Sequence, residues 1–165
     1  MWLLPYNEGM NKKCVKVGGC CAVLFLVIIL PALVIGKGRL FMNADFNSQQ
    51  IPFNILCNKA IKNGEYFWNW NTDLGSNFIA SYSFYNIGSP FFWIMLLVPS
   101  KYVVYAMGPL LVLKFMVSGC SSYLYLSQYV KNGYLAAIGA VLYTFSGFTF
   151  SNLFYNHFMD VIALF

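Results

Sequence analysis

Acidic residues are nearly missing from this chain. Glu8, Asp45, Glu65, Asp73 and Asp160 are the only five in 165 residues, His157 is the lone histidine, and residues of either charge make up 9% of the sequence. Soluble domains carry about 25% charged residues. With a mean hydropathy of +0.63, the shortfall excludes an ordinary water-soluble domain and places the chain in the membrane class. The ten basic residues flank apolar runs instead of gathering in one patch. That excludes a nucleic-acid surface and reads as a topology signal. Cys14, Cys20, Cys21, Cys57 and Cys120 show neither C-x-x-C zinc spacing nor a secreted disulfide framework, and read as small hydrophobes in helices. H-E-x-x-H, G-x-S-x-G, P-loop and Asp-x-Asp patterns are absent, so no metal site is assigned from motifs.

What is present is a series of apolar runs. Residues 1–16 form a short tail with Lys12, Lys13 and Lys16. Residues 17–35 carry no charge and make about 28 Å of helix, enough to cross the hydrocarbon core. A signal peptide would share the basic start, but the apolar run is long and no small-x-small site follows it. An uncleaved first span with a cytoplasmic N-terminus is therefore expected. Residues 36–88 then form an extracellular loop rich in Trp, Tyr and Phe, which argues against disorder.

Within that loop residues 52–63 predict an amphipathic juxtamembrane helix. Phe53, Leu56, Cys57, Ala60 and Ile61 follow the helical apolar spacing, Pro52 suits its first turn and Asn63-Gly64 its stop. Such a helix is expected to lie along the membrane surface. Residues 89–99 are long enough for half a bilayer and read as re-entrant or interfacial. Residues 102–128 form a second span, interrupted by Pro109 and Lys114, and residues 134–150 a third. Residues 151–165 are an outer loop followed by the start of a fourth helix, cut off inside an apolar run. The chain thus reads as all-α, the N-terminal portion of a longer polytopic membrane protein.

This topology places Asp45, Glu65, Asp73, Asp160 and His157 on the outer side or just within it. Ionisable groups at membrane depth tend to mark function. Asp45 sits among Asn43, Asn47, Gln49 and Gln50, before the amphipathic helix whose N-terminal amides favour anions. Gln49 and Gln50 are suited to hydrogen-bonding a phosphate or a sugar hydroxyl; the plainer alternative is that Asp45 helps cap the helix. Trp68 and Trp70, with asparagine neighbours, suit the flat faces and hydroxyls of carbohydrate, or equally an interfacial anchor. His157 and Asp160 share a helix face and could act as an acid/base pair, hold a cation or cap a helix start. Lys114 would cost about 2.5–3.5 kcal/mol facing lipid, and is expected to turn toward other helices or snorkel.

An ordered set of residues carries a family resemblance: the first span, then Gly38, Asp45, Gln49 and Pro52-Phe53; then Trp70-Asn71, Gly75 and Asn77-Phe78; then Ser89-Pro90-Phe91, the run from Tyr143 to Phe148, and Asn156, His157 and Asp160. In these the chain resembles the bacterial YfhO family of multi-spanning membrane proteins, which belongs to the GT-C-type glycosyltransferases. The resemblance implies a GT-C-like helical bundle in the bacterial plasma membrane. It also implies transfer of a sugar from a polyprenyl-phosphate carrier to a cell-envelope polymer, such as lipoteichoic acid, on the extracellular side. Asp45 would be the catalytic carboxylate, as general base or as a ligand to a divalent cation. Gln49, Gln50, Trp68, Trp70, Asn77, His157 and Asp160 would bind substrate. Family members are several times longer, so the resemblance implies that this chain alone lacks part of the cavity. The partners implied are membrane lipids, the lipid-linked sugar and the polymer acceptor, with no nucleic acid. A transporter or channel component, which also uses broken helices, and a non-catalytic membrane remnant are the competing readings.

Overall fold

The computed structural model describes residues 8–72 and 74–164; the start of the tail, Asp73 and Phe165 lie outside the described residues. The fold is all-α apart from one two-residue strand pair. Three helical stretches, Gly9–Ile35, Ser100–Leu126 and Gly133–Ser151, are long and apolar enough to cross a membrane. This is a polytopic membrane architecture.

The first stretch lies in α1 (Glu8–Ile35) and the second ends in α5 (Val103–Leu126). Their contacts run in opposite directions: Cys14 meets Cys120, Phe25 stacks on Phe115 at 3.7 Å between centroids, and Leu33 lies over Gly108. The two helices are therefore antiparallel. Close approach depends on small residues. A Cβ on Gly119 would lie 2.7 Å from Cys21 Sγ, and one on Gly18 would run into Cys120 and the Met116 carbonyl. With no hydrophobic force between helices in lipid, such tight packing does the work of association.

The third stretch is broken. α6 (Gly133–Thr144) ends at Phe145, and α7 (Gly147–Ser151) starts after Ser146, whose hydroxyl accepts from Thr149 N at 3.3 Å. The chain turns and returns as α8 (Asn156–Leu164), packed on α5. Ser121 Oγ donates to Ala163 O at 2.8 Å and Tyr143 OH to Ile162 O at 3.3 Å. These bonds tie α8 to α5 and α6.

Between α1 and α5 the loop makes a second, smaller core. A π-helical turn (Phe46–Gln50) runs into α2 (Ile51–Lys62). The Cys57 and Ala60 stripe of α2 packs with Phe78, Tyr82 and Phe92, and burial pushes the Cys57 thiol up to about 12. A hairpin, β1 (Trp68–Asn69) with β2 (Ser76–Asn77), leads to α3 (Phe78–Tyr82), a second π-helical turn (Ser83–Ile87) and α4 (Pro90–Met95). α2 buries more than its apolar stripe. Asn58 Nδ2 donates to Met95 O at 2.9 Å and Val98 O at 3.2 Å, Ser100 Oγ donates to Asn58 Oδ1 at 2.7 Å, and Lys62 reaches Val98 O. These bonds clamp α2 to the carbonyls after α4, so both its apolar and its amide face are covered by protein.

Gly119→Leu is expected to destabilise the chain by about 1–3 kcal/mol through overpacking of the α1–α5 seam. Gly19→Ala, whose Cβ would meet nothing within 4 Å, should be neutral or stabilising by up to about 1 kcal/mol, from the helix preference of Ala over Gly. Denaturation in detergent, followed by tryptophan fluorescence, measures both.

Candidate functional site

Lys114 lies near the middle of α5 and is fully buried. Its ammonium forms an ion pair with Asp160 of α8 and sits 5.2 Å from the centroid of the Phe91 ring in α4. The break at Ser146 makes this pair attainable, because it lets the chain fold back and bring α8 against the middle of α5. Ser118, one turn beyond Lys114, lies 3.4 Å from the Thr144 hydroxyl, extending a polar seam between α5 and α6.

His157 is one turn before Asp160. Its ring packs among Phe84, Tyr85 and Phe158 at centroid distances of 4.7, 5.2 and 4.5 Å. Its Nδ1 is buried with no hydrogen-bond partner among the described residues. A cleft of about 350 Å³ opens beside these groups, lined by Ser83, Phe84, Ser89, His157, Asp160 and Val161 among others. His157 and Asp160 are thus brought together as their spacing predicts, with Lys114 behind them.

Asp45, Gln49, Gln50, Trp68, Trp70 and Asn77 do not line that cleft. Asp45 is half-buried at the start of the first π-helical turn, and its side chain makes no capping hydrogen bond. The loop around it is tied by other groups: Met42 N donates to Asn47 Oδ1 at 3.0 Å, and Ser48 Oγ donates to Ala44 O at 3.2 Å. Leu40 and Phe46, on either side, are both buried in the core that holds Met159 of α8. The carboxylate is therefore held between two anchored residues without being used for capping.

Gln49 is half-buried; Gln50 is buried, its Nε2 without a partner among the described residues, and its carbonyl accepts from Asn54 Nδ2 at 2.8 Å. Trp68 and Trp70 are exposed at 52% and 75%, edge to face at 5.6 Å. Asn77 caps α3, accepting from Ala80 N at 2.9 Å. Glu65 accepts from Asn69 Nδ2. The site residues read from sequence thus fall into three places: the Asp45 turn, the hairpin and the Asp160 cleft.

Two basic residues shortly before Asp45 in the chain escaped the sequence reading. Lys37 and Arg39 line a cleft of about 410 Å³ at the end of α1, with Ile35 and Phe41. Arg39 Nε is buried without a hydrogen-bond partner among the described residues, and its guanidinium lies 5.6 Å from the Phe41 centroid. In sequence these residues look like charges ending a span; only the fold shows that they enclose space. Among the described residues no three His, Cys, Asp or Glu side chains converge as a metal site, so no step is assigned to a divalent cation.

The family model for the bacterial membrane protein YfhO matches residues 20–165. The chain belongs to the YfhO family. No curated protein and no solved structure matches it significantly. The YfhO match includes Lys37, Arg39, Asp45, Lys114, His157 and Asp160, while the lysines of the tail precede it.

Asp160→Asn should destabilise this YfhO-family chain by about 3–5 kcal/mol, because it leaves the Lys114 charge buried and uncompensated. Replacing both partners, as Lys114→Met with Asp160→Leu, should recover most of that loss. Unfolding midpoints in detergent distinguish the two variants.

Proposed function

We propose that this chain contributes the first outer loop and its supporting spans to a membrane glycosyltransferase. The enzyme moves a sugar from a polyprenyl-phosphate carrier to a cell-envelope polymer, such as lipoteichoic acid, on the extracellular side. YfhO membership supports the class. The observation that carries the site is the Asp45 carboxylate, held between buried Leu40 and Phe46, not engaged in capping, and six residues beyond the Lys37/Arg39 cleft.

The chemistry follows from that arrangement. An acceptor hydroxyl loses its proton to Asp45 as its oxygen bonds to the anomeric carbon. The bond from that carbon to the phosphate oxygen breaks, and the lipid phosphate leaves with the electron pair. Lys37 and Arg39 meet the charge gathering on that phosphate. Asp160 has the structural task of neutralising Lys114, while His157 and the cleft beside it take part of the sugar or lipid. The exposed Trp68 and Trp70 offer ring faces to carbohydrate. The N-terminus is cytoplasmic in this reading, with Asp45 outside.

A transporter component is the second reading, favoured by one observation: an ion pair near the middle of a span. The two readings separate on variants. In the protein's native membrane, Asp45→Asn is expected to lower polymer glycosylation by about 10²-fold or more, as for loss of a general base, with unchanged thermal stability. Undiminished glycosylation would remove Asp45 from the chemistry. A transporter would instead keep flux in Asp45→Asn and lose it in Asp160→Asn.

Orientation has its own check. Cysteine substituted at position 45 should react with a membrane-impermeant maleimide added outside intact cells. Reaction only after the membrane is opened would place the turn in the cytoplasm and sink the outer-face mechanism.

A further inference from the structure

At the tail end of the bundle, away from the loop, α1 and α6 do not close on each other. Two hollows lie between them, of about 240 and 350 Å³, sharing Lys16, Val17 and Ala137. They form one furrow. Its mouth holds Lys13, Lys16, Tyr123 and Gly133. Its continuation is apolar, walled by Val17 and Cys20 on one side and by Ile138, Val141 and Leu142 on the other.

The mouth is built around its lysines. Lys13 and Lys16, three apart, share one face of α1. Lys13 Nζ lies 3.3 Å and Tyr123 OH 3.5 Å from where a Cβ on Gly133 would sit, so the missing side chain leaves room for the ammonium at the entrance. Among the described residues no acidic side chain lines either hollow. The furrow therefore presents two uncompensated positive charges at one end and hydrocarbon at the other. A soluble anion would use only the mouth, and an apolar helix would leave the lysines without counter-charge. A phosphate head with an acyl chain fits both ends, and basic residues flanking a span favour anionic lipid.

We infer that the α1–α6 furrow is a binding site for an anionic phospholipid of the leaflet at the tail end, its phosphate between Lys13 and Lys16 and an acyl chain along Val17, Ile138 and Leu142. The site is separate from the Asp45 and Asp160 regions and does not depend on the proposed transferase activity.

Native mass spectrometry of the full chain, released from micelles with equal phosphatidylglycerol and phosphatidylcholine, tests it. The parent should retain one phosphatidylglycerol with roughly tenfold preference, the scale expected when two lysines act near a membrane surface. Lys13→Gln with Lys16→Gln should abolish the preference. Lys12→Gln with Lys131→Gln removes equal charge outside the furrow and should keep the preference within about twofold of the parent. Ala137→Trp, which fills the furrow and keeps the lysines, should also lose the lipid. Equal retention of both lipids by the parent, loss in both lysine pairs alike, or phosphatidylglycerol still held by Ala137→Trp would overturn the site. So would release of the chain as a dimer joined through α1 and α6.

Discussion

A lysine in the middle of an apolar helix must be neutralised, and this requirement organises the half of the molecule around α8. Lys114 cannot reach water from its position in α5, so a carboxylate has to come to it. Asp160 does so only because the chain stops its third crossing at Phe145, restarts at Ser146 and folds back. Once α8 is there, Ser118 and Ser121 of α5 and Tyr143 of α6 donate to its carbonyls and fasten it to the bundle. One buried charge thus accounts for a broken span and a returning helix, with a line of hydroxyls fastening that helix in place.

The same need to satisfy polar groups shapes the loop. Gln50, just before α2, and Asn54 and Asn58 within it follow helical spacing, and all three are buried. Asn58 donates to the carbonyls of Met95 and Val98, at and just after the end of α4. The loop is therefore fastened to the bundle by hydrogen bonds as well as by the Cys57–Phe92 core, which gives the Asp45 turn a fixed frame.

Much of the fold was legible in the sequence, for a simple reason: crossing a bilayer needs length and continuous apolarity, both of which are local properties. The α2 stripe of Phe53, Cys57 and Ala60 was legible for the same reason, since helical spacing is local. The second buried face of α2 was not, because Asn54 and Asn58 read as solvent-facing until the carbonyls they serve are known. Lys114 was expected to turn inward or snorkel, and it turns inward. Its partner could not be named, because 46 positions separate Lys114 from Asp160 and no pattern links them. The basic cleft of Lys37 and Arg39 was hidden for a different reason. Charges after a span ordinarily mark its end, and only packing against Phe41 shows that they enclose a volume.

The scarcity of acids sharpens the distinction between structural and chemical carboxylates. Asp160 is committed to Lys114, and Glu65 to Asn69. Asp45 has no such obligation toward capping, and it is half-exposed. Its local amides drew attention to it in the sequence, yet the capping bond they suggested is not made. Asn47 and Ser48 close the turn instead. The geometry therefore separates two acids that the sequence reading assigned to one site: Asp160 is tied to Lys114, while Asp45 makes no capping bond and stays half-exposed.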